Sequence, residues 1–268
     1  MSLWRALLTF SIAGLIIAPC QAGQVLYQSG FEAPSSVAGQ AILGQDGWAG
    51  YAHDPASATI TNQLSASGSQ SFKIDGSLMN VDPNYGFKTG WYWPTLNFDP
   101  IASNLPIVDF SVDARIDIGN PATFSYLAIQ AYSLRGDTLM NYFFYTDGTV
   151  LDIYATNGTS FIEIPLSFAD SGRFFNLTAR LDYSSQIIDY YVNQQWIGST
   201  TMATSSFGLA TIALTLQGNN TNGSSPLNTI GYFDNYSVTA VPEPASMFSA
   251  GLGLLLVCGY SRRKSRSN

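Results

Sequence analysis

Between Val108 and Ile118 every second residue is apolar, and nothing else in the chain restricts its fold so tightly. Val108, Phe110, Val112, Ala114, Ile116 and Ile118 point one way. Asp109, Ser111, Asp113, Arg115 and Asp117 point the other. Successive side chains of a strand face opposite sides of its sheet, so this segment has one face to bury and one to wet. A helix would scatter the same apolar residues around its circumference. The period recurs in Phe175, Leu177, Ala179 and Leu181, and again in Ile212, Leu214 and Leu216. It predicts that Ile230, Tyr232, Asp234, Tyr236 and Val238 share one side of a last strand. Turn chemistry separates the runs at Asp147-Gly148, Asn157-Gly158, 182–185 and 193–195. Short strands about every ten residues, joined by hairpin turns, predict an all-β fold of two packed antiparallel sheets.

Both ends lie outside that pattern. Arg5, the apolar stretch Ala6 to Ala18, Pro19 and the triplet Cys20-Gln21-Ala22 read as a secretory signal helix over 1–22. The apolar stretch is short of the ~20 residues that span a bilayer. Lipid attachment at Cys20 is the alternative, which Pro19 directly before it disfavours. Residues 23–241 then form the body, long enough for one sizeable core. It carries six cationic and seventeen acidic side chains, a formal charge of −11. Such a surface repels phosphate backbones, so nucleic acid is not an expected partner. The two cysteines, Cys20 and Cys258, sit in the end segments. The body therefore has no disulfide, and its stability must come from burial and sheet pairing.

Several short motifs of the body resemble a known architecture. Arg173 to Tyr183, followed by Ile187 to Trp196, looks like the paired late strands of concanavalin A-like (laminin-G-like) jelly rolls. Gly30-Phe31-Glu32, Gly44-Gln45-Asp46-Gly47-Trp48 and Ser67 to Ile74 are similar to the opening strands of exported carbohydrate-binding sandwiches. Tyr232 to Val238 resembles their last strand. The resemblance implies a jelly-roll sandwich. It also implies that Glu32 and Asp234, which match a Glu and an Asp that hold a structural Ca²⁺ in such domains, could hold one here. The competing reading is two ordinary strand-end carboxylates.

The tail, 242–268, has three parts. Pro242-Glu243-Pro244 is extended and stiff, because proline fixes φ and offers no N–H to a helix or sheet. Residues 245–260 carry no charge and would reach about 24 Å as a transmembrane helix, against a hydrocarbon core of ~30 Å. Arg262, Arg263, Lys264 and Arg266 close the basic end, 261–268, and would stay cytoplasmic. This order resembles the PEP-CTERM sorting signal. The resemblance implies recognition by exosortase, a membrane-embedded cysteine protease-transpeptidase of double-membraned bacteria that make extracellular polysaccharide. The tail would be cut near Pro-Glu-Pro, after a transient stay in the inner membrane. A permanent single-span anchor is the alternative; a buried C-terminal helix or a glycolipid-anchor signal fits the basic end poorly.

Candidate chemistry in the body is sparse. His53, its one histidine, lies in a loop-like stretch, and no Gly-x-Ser-x-Gly elbow is present. Glu32 and Glu163 are its only glutamates. Asp109, Asp113 and Asp117 share a strand face at steps of about 13 Å, beyond the about 5–9.5 Å of a glycosidase carboxylate pair. Trp48 and Trp196 are expected in the core or at its rim. Trp91 and Trp93 flank Tyr92 and could form a platform for sugar rings, while Tyr126 and Tyr132 share a strand face. The expected protein is thus an exported, non-catalytic envelope or extracellular-matrix protein associated with exopolysaccharide or biofilm. A lectin-like carbohydrate-binding module is the first alternative and a glycoside hydrolase the second. No cofactor beyond a structural Ca²⁺ is expected.

Overall fold

The computed structural model describes residues 22–243 apart from 53, 83–85, 120–123, 148, 203–207 and 220–227. Residues 1–21 of the signal segment, Pro244, the 245–260 stretch, the basic cluster Arg262, Arg263, Lys264 and Arg266, and His53 lie outside the described residues. Among the described residues, no helix is long and apolar enough to cross a membrane. Gly23–Val241 is one compact unit.

Its strands are β1 (Gln24–Ser29), β2 (Trp48–Ala52), β3 (Ala58–Thr61), β4 (Ser71–Asp75), β5 (Lys88–Pro94), β6 (Ile107–Ile118), β7 (Phe124–Tyr132) and β8 (Thr138–Thr146). They continue as β9 (Leu151–Thr156), β10 (Phe161–Leu166), β11 (Phe175–Asp182), β12 (Ile187–Val192), β13 (Gln195–Thr201), β14 (Thr211–Asn219) and β15 (Thr229–Val241). One sheet has the order β13-β12-β11-β6-β15-β4-β3, with β1 also on β15; the other runs β10-β9-β8-β7-β14-β5-β2. Every pairing is antiparallel, and the chain passes back and forth between the sheets in the jelly-roll manner.

The alternation seen in the sequence decides which faces meet. Val108, Phe110, Val112, Ala114, Leu177, Ala179 and Leu181 of the first sheet are fully buried against Leu127, Ile129, Tyr142, Phe144, Ile153, Leu214 and Leu216 of the second. Burying one such side chain contributes roughly 1.5–3 kcal/mol, so this interface supplies the stability that a disulfide-free body needs. Phe31, Trp48, Phe72, Phe233 and Tyr236 pack as rings at centroid distances of 5.3–5.9 Å at one end of it. Phe31 takes a left-handed backbone (φ 58°). That conformation costs about 1–2 kcal/mol for a residue with a Cβ, and complete burial of the ring offsets it. The hairpin turns fall where turn chemistry places them, as at Asn193 and Gln194, both at positive φ between β12 and β13.

Two expectations need correction. Ile230, Tyr232 and Asp234 do not share a face with Tyr236 and Val238. Asn235 sits at φ 50° in a bulge opposite Asp113 and Ser111, and the extra residue turns the strand over. Before the bulge Gly231 and Phe233 point inward, opposite Ile116 and Ala114; after it Tyr236, Val238 and Ala240 do. Trp196 is not core either. It pairs with Tyr191 on the outward face of the edge strand β13 and stays 58% exposed.

Candidate functional site

Cross-strand pairs over the outside of the seven-stranded sheet set Tyr51, Trp91, Thr215, Ala128, Phe143, Tyr154 and Glu163 in one row. Large rings stand toward both ends of that row and two small side chains occupy its central strands. Thr215 and Ala128 face outward yet are fully covered, because the neighbouring rings shade them. The face is therefore a trough. Its walls rise from β5 and β8, three strand spacings or about 14 Å apart.

One wall is Tyr51, Trp91 and Trp93, with Tyr51 and Trp91 6.4 Å apart between ring centroids. Trp91 and Trp93 project outward because Tyr92 between them is buried in the core, where Ser57 lies 3.2 Å from its hydroxyl. Together with Tyr132, Thr211 and Ala213 the two indoles line a pocket of about 150 Å³. The other wall is a cluster on β7–β10: Phe143 stacks on Tyr154 at 5.2 Å, and Tyr126, Tyr145, Phe124 and Phe161 meet it edge-on at 5.6–6.5 Å. Phe161 remains 63% exposed.

The floor is polar. Gln130 Oε1 accepts from the Tyr132 hydroxyl at 3.1 Å and lies 3.5 Å from the Thr215 hydroxyl. Asn141, opposite Gln130 on β8, has a buried Oδ1 without a protein partner. Burial, with the charge of Tyr132 beside it, pushes the Tyr126 hydroxyl up to about 12, and burial raises Tyr132 as well. Tyr154 is raised by burial, then by the charges of Glu163 and Asp152 and a hydrogen bond to Glu163. These phenols stay protonated and neutral at any ordinary pH. Rings that present flat apolar faces, with the part-exposed Gln130 amide and Tyr132 hydroxyl beside them, suit a ligand that is itself apolar on its ring faces and hydroxylated at its edges.

The outer face of the eight-stranded sheet is arranged differently. Arg180 forks onto Asp109 at 2.8 and 3.0 Å and Arg115 onto Asp117 at 2.6 and 2.9 Å, while Asp113 accepts from Asn176 and Asn235. The three aspartates are thus spoken for one by one.

Glu32 and Asp234 are brought to a single loop, 64–70, between β3 and β4. Glu32 Oε1 accepts the N–H groups of Ser69 and Gln70 at 2.7 and 2.8 Å, and Oε2 the Ser69 hydroxyl at 2.7 Å. Asp234 Oδ2 accepts from Ala66 N and Ser67 N, both at 2.9 Å, and Oδ1 from Asn235 N at 2.7 Å. Burial raises the Asp234 carboxyl; at Glu32 the opposing bonds from Ser69 and Gln70 outweigh burial and lower it. Each carboxylate thus accepts three bonds over its roughly four lone-pair sites, so a calcium ion there would compete with these donors. Among the described residues no three His, Cys, Asp or Glu side chains gather as a metal centre.

The trough was half legible beforehand. Trp91, Trp93, Tyr126 and Tyr132 do share its surface, but the wall on β8–β10 was missed. The available sign was β8 itself, where Tyr142 and Phe144 alternate with Phe143 and Tyr145, so both faces are aromatic.

The fold is a two-sheet jelly roll of the kind found in carbohydrate-recognising domains. It resembles the carbohydrate recognition domain of Emp47p (TM-score 0.54, 10% identity, 83% of this chain and 98% of that one). It is equally similar to the CBM2 module of the evolved Dit of Lactobacillus casei BL23 phage J-1 (0.54, 11%, 84% and 98%). A sialidase matches at 0.54 and 11%, over 84% of this chain, which spans about a fifth (19%) of the sialidase's length. At such identities the likeness is one of fold. No curated protein matches the chain by sequence. The chain carries the PEP-CTERM protein-sorting motif at residues 240–264. The match starts inside β15 and takes in Pro242, Glu243, Pro244, Arg262, Arg263 and Lys264, with Arg266 just beyond it. This motif implies export and processing by an exosortase.

Proposed function

We propose that this protein is an exported, non-catalytic glycan-binding protein of the cell envelope or extracellular matrix. Its signal segment takes it across the inner membrane, its tail presents it there to exosortase, and its sandwich holds polysaccharide on the outside. One observation carries the reading: an aromatic-walled trough with a polar floor covers one outer face of the sandwich, where Trp91 and Trp93 stand clear of the core. Sugars stack their C–H faces on such rings and bond through their hydroxyls. The cell's own exopolysaccharide, as in a biofilm, is the ligand that its destination puts within reach.

The separation of the trough's acids supports a non-catalytic role. Glu163 and Asp152 lie on β10 and β9 at one end, where Glu163 is engaged by the Tyr154 hydroxyl, while Asp82 accepts from the Tyr51 hydroxyl beside the indole wall at the other. Retention of the purified body 23–241 on polysaccharide columns tests the binding. Retention is expected, with at least a tenfold loss in Trp91→Ala and Trp93→Ala. Sugar release from any polysaccharide by the clean body would overturn the non-catalytic part. For the sorting, the mature C-terminus is read by mass spectrometry, and an end still carrying Arg262 to Asn268 would refute processing.

A further inference from the structure

The trough differs from the rest of the body in charge. Four cationic side chains pair with aspartates through Lys73–Asp75, Arg115–Asp117, Arg173–Asp170 and Arg180–Asp109. Lys73, Arg115 and Arg180 belong to strands of the eight-stranded sheet, and Arg173 lies just before β11. In the strands of the seven-stranded sheet the one cationic residue is Lys88. It lies at the start of β5 on the same side as Gly90 and Tyr92, not that of the indoles, and its ammonium reaches the Gly76 carbonyl at 3.3 Å. Arg135 stands in the turn between β7 and β8, beyond Tyr132. Among the described residues, then, no strand of this sheet sets a cation on either wall or on the floor. The charges that do are negative: Asp152 and Glu163 beside Tyr154, and Asp82, which accepts from the Tyr51 hydroxyl at 3.0 Å.

The polar side chains of the floor repeat the bias: Gln130 and Asn141 are uncharged amides and bring no counter-charge to an anion. An anionic ring would also give up its hydration against indole and phenol faces without a counter-charge, in the field of a body of formal charge −11. The indole pocket, about 150 Å³, is below the roughly 300–1,000 Å³ that encloses a whole small ligand. It receives one ring of a chain that continues along the trough.

Resting on the reading of this face as the glycan site, we propose that the trough takes an uncharged polysaccharide, built of hexose or N-acetylhexosamine units, and rejects chains bearing uronate, sulfate or phosphate. Affinity electrophoresis of the body and of its Trp91→Ala and Trp93→Ala variants tests this. The gels hold neutral polymers (a soluble glucan, a galactomannan, a glycol-chitin) or acidic ones (alginate, polygalacturonate), at low and at high salt. Melting curves show that each variant is folded. The expected result is retardation by a neutral polymer, weakened at least tenfold in the variants and changed less than twofold by salt, with free migration through alginate and polygalacturonate. Retardation by an acidic polymer that the indole variants abolish would overturn the proposal while leaving the face a glycan site. Free migration through every polymer would overturn the glycan site and the proposal with it.

Discussion

Asp234 offers the sharpest test of how the β3–β4 loop is held. Truncation to alanine removes acceptors for the N–H groups of Ala66 and Ser67, both at 2.9 Å, and of Asn235 at 2.7 Å. Hydrogen bonds to a charged group contribute about 1.5–3 kcal/mol each. Two effects reduce the sum. The carboxylate is completely buried, so its removal relieves a desolvation penalty. The loop is only partly buried, so water reaches the orphaned N–H groups. A net loss of about 2–4 kcal/mol remains. At about 2–4 °C per kcal/mol for a domain of this size, Asp234→Ala should melt about 4–16 °C below the wild type. Asp234→Asn keeps one acceptor oxygen and should lose about half as much. Thermal melts by circular dichroism, run with calcium and with a chelator, provide the assay, and the wild-type midpoint should be the same in both. An alanine variant within about 1 °C of wild type would refute the clamp. A wild-type midpoint several degrees lower in chelator, with the variant indifferent, would instead assign Glu32 and Asp234 to an ion.

A methyl group added at Gly231 would collide with Leu127 Cδ1 of the facing sheet. Gly231→Ala should cost about 1–3 kcal/mol, and a double-mutant cycle with Leu127→Ala should be non-additive in the rescuing direction; additive losses would contradict the contact. Burial pushes the Tyr92, Tyr126 and Tyr190 hydroxyls up to about 12. Unfolded tyrosines titrate near ~10, so this stability is complete below pH ~10 and lost as pH rises toward 12. The last part of the tyrosinate absorbance should then develop together with loss of sheet signal, and full ionisation near pH 10 with the sheets intact would contradict it. Phe72→Ala removes a fully buried ring at the centre of the Phe31, Trp48 and Phe233 cluster. It should cost about 3–5 kcal/mol in chemical denaturation, and a loss under 1 kcal/mol would mean that the cluster is loosely packed.

The architecture was legible where one strand face is apolar and the other polar. In β6 and β11 the parity of Val108 to Ile116 and of Leu177 to Leu181 told inside from outside without ambiguity. It failed where that contrast disappears. In β15 the residues around Asp234-Asn235 are apolar at both parities, and only the Asp-Asn pair inside a strand hinted at the bulge that reverses the face. In β8 two aromatic parities left the core rings and the trough rings indistinguishable. The work of Glu32 and Asp234 was invisible for another reason. Their partners are backbone N–H groups 37 and 167 residues distant, as with Ser69 and Ser67, and backbone groups leave no mark in a sequence.

The position of β15 has a consequence for the order of events during secretion. It is the last strand to be made, yet β6, β4 and β1 all pair with it near the middle of the eight-stranded sheet. While the chain threads outward, β1 and β4 wait without that neighbour, and the cargo cannot close until the residues adjoining the tail have crossed. With the tail cut near its Pro-Glu-Pro, as the proposed sorting requires, completion of the sheet and arrival of the cutting site are nearly simultaneous. Because the strand ends at Val241, severing the chain beyond Pro242 removes no rung from the ladder.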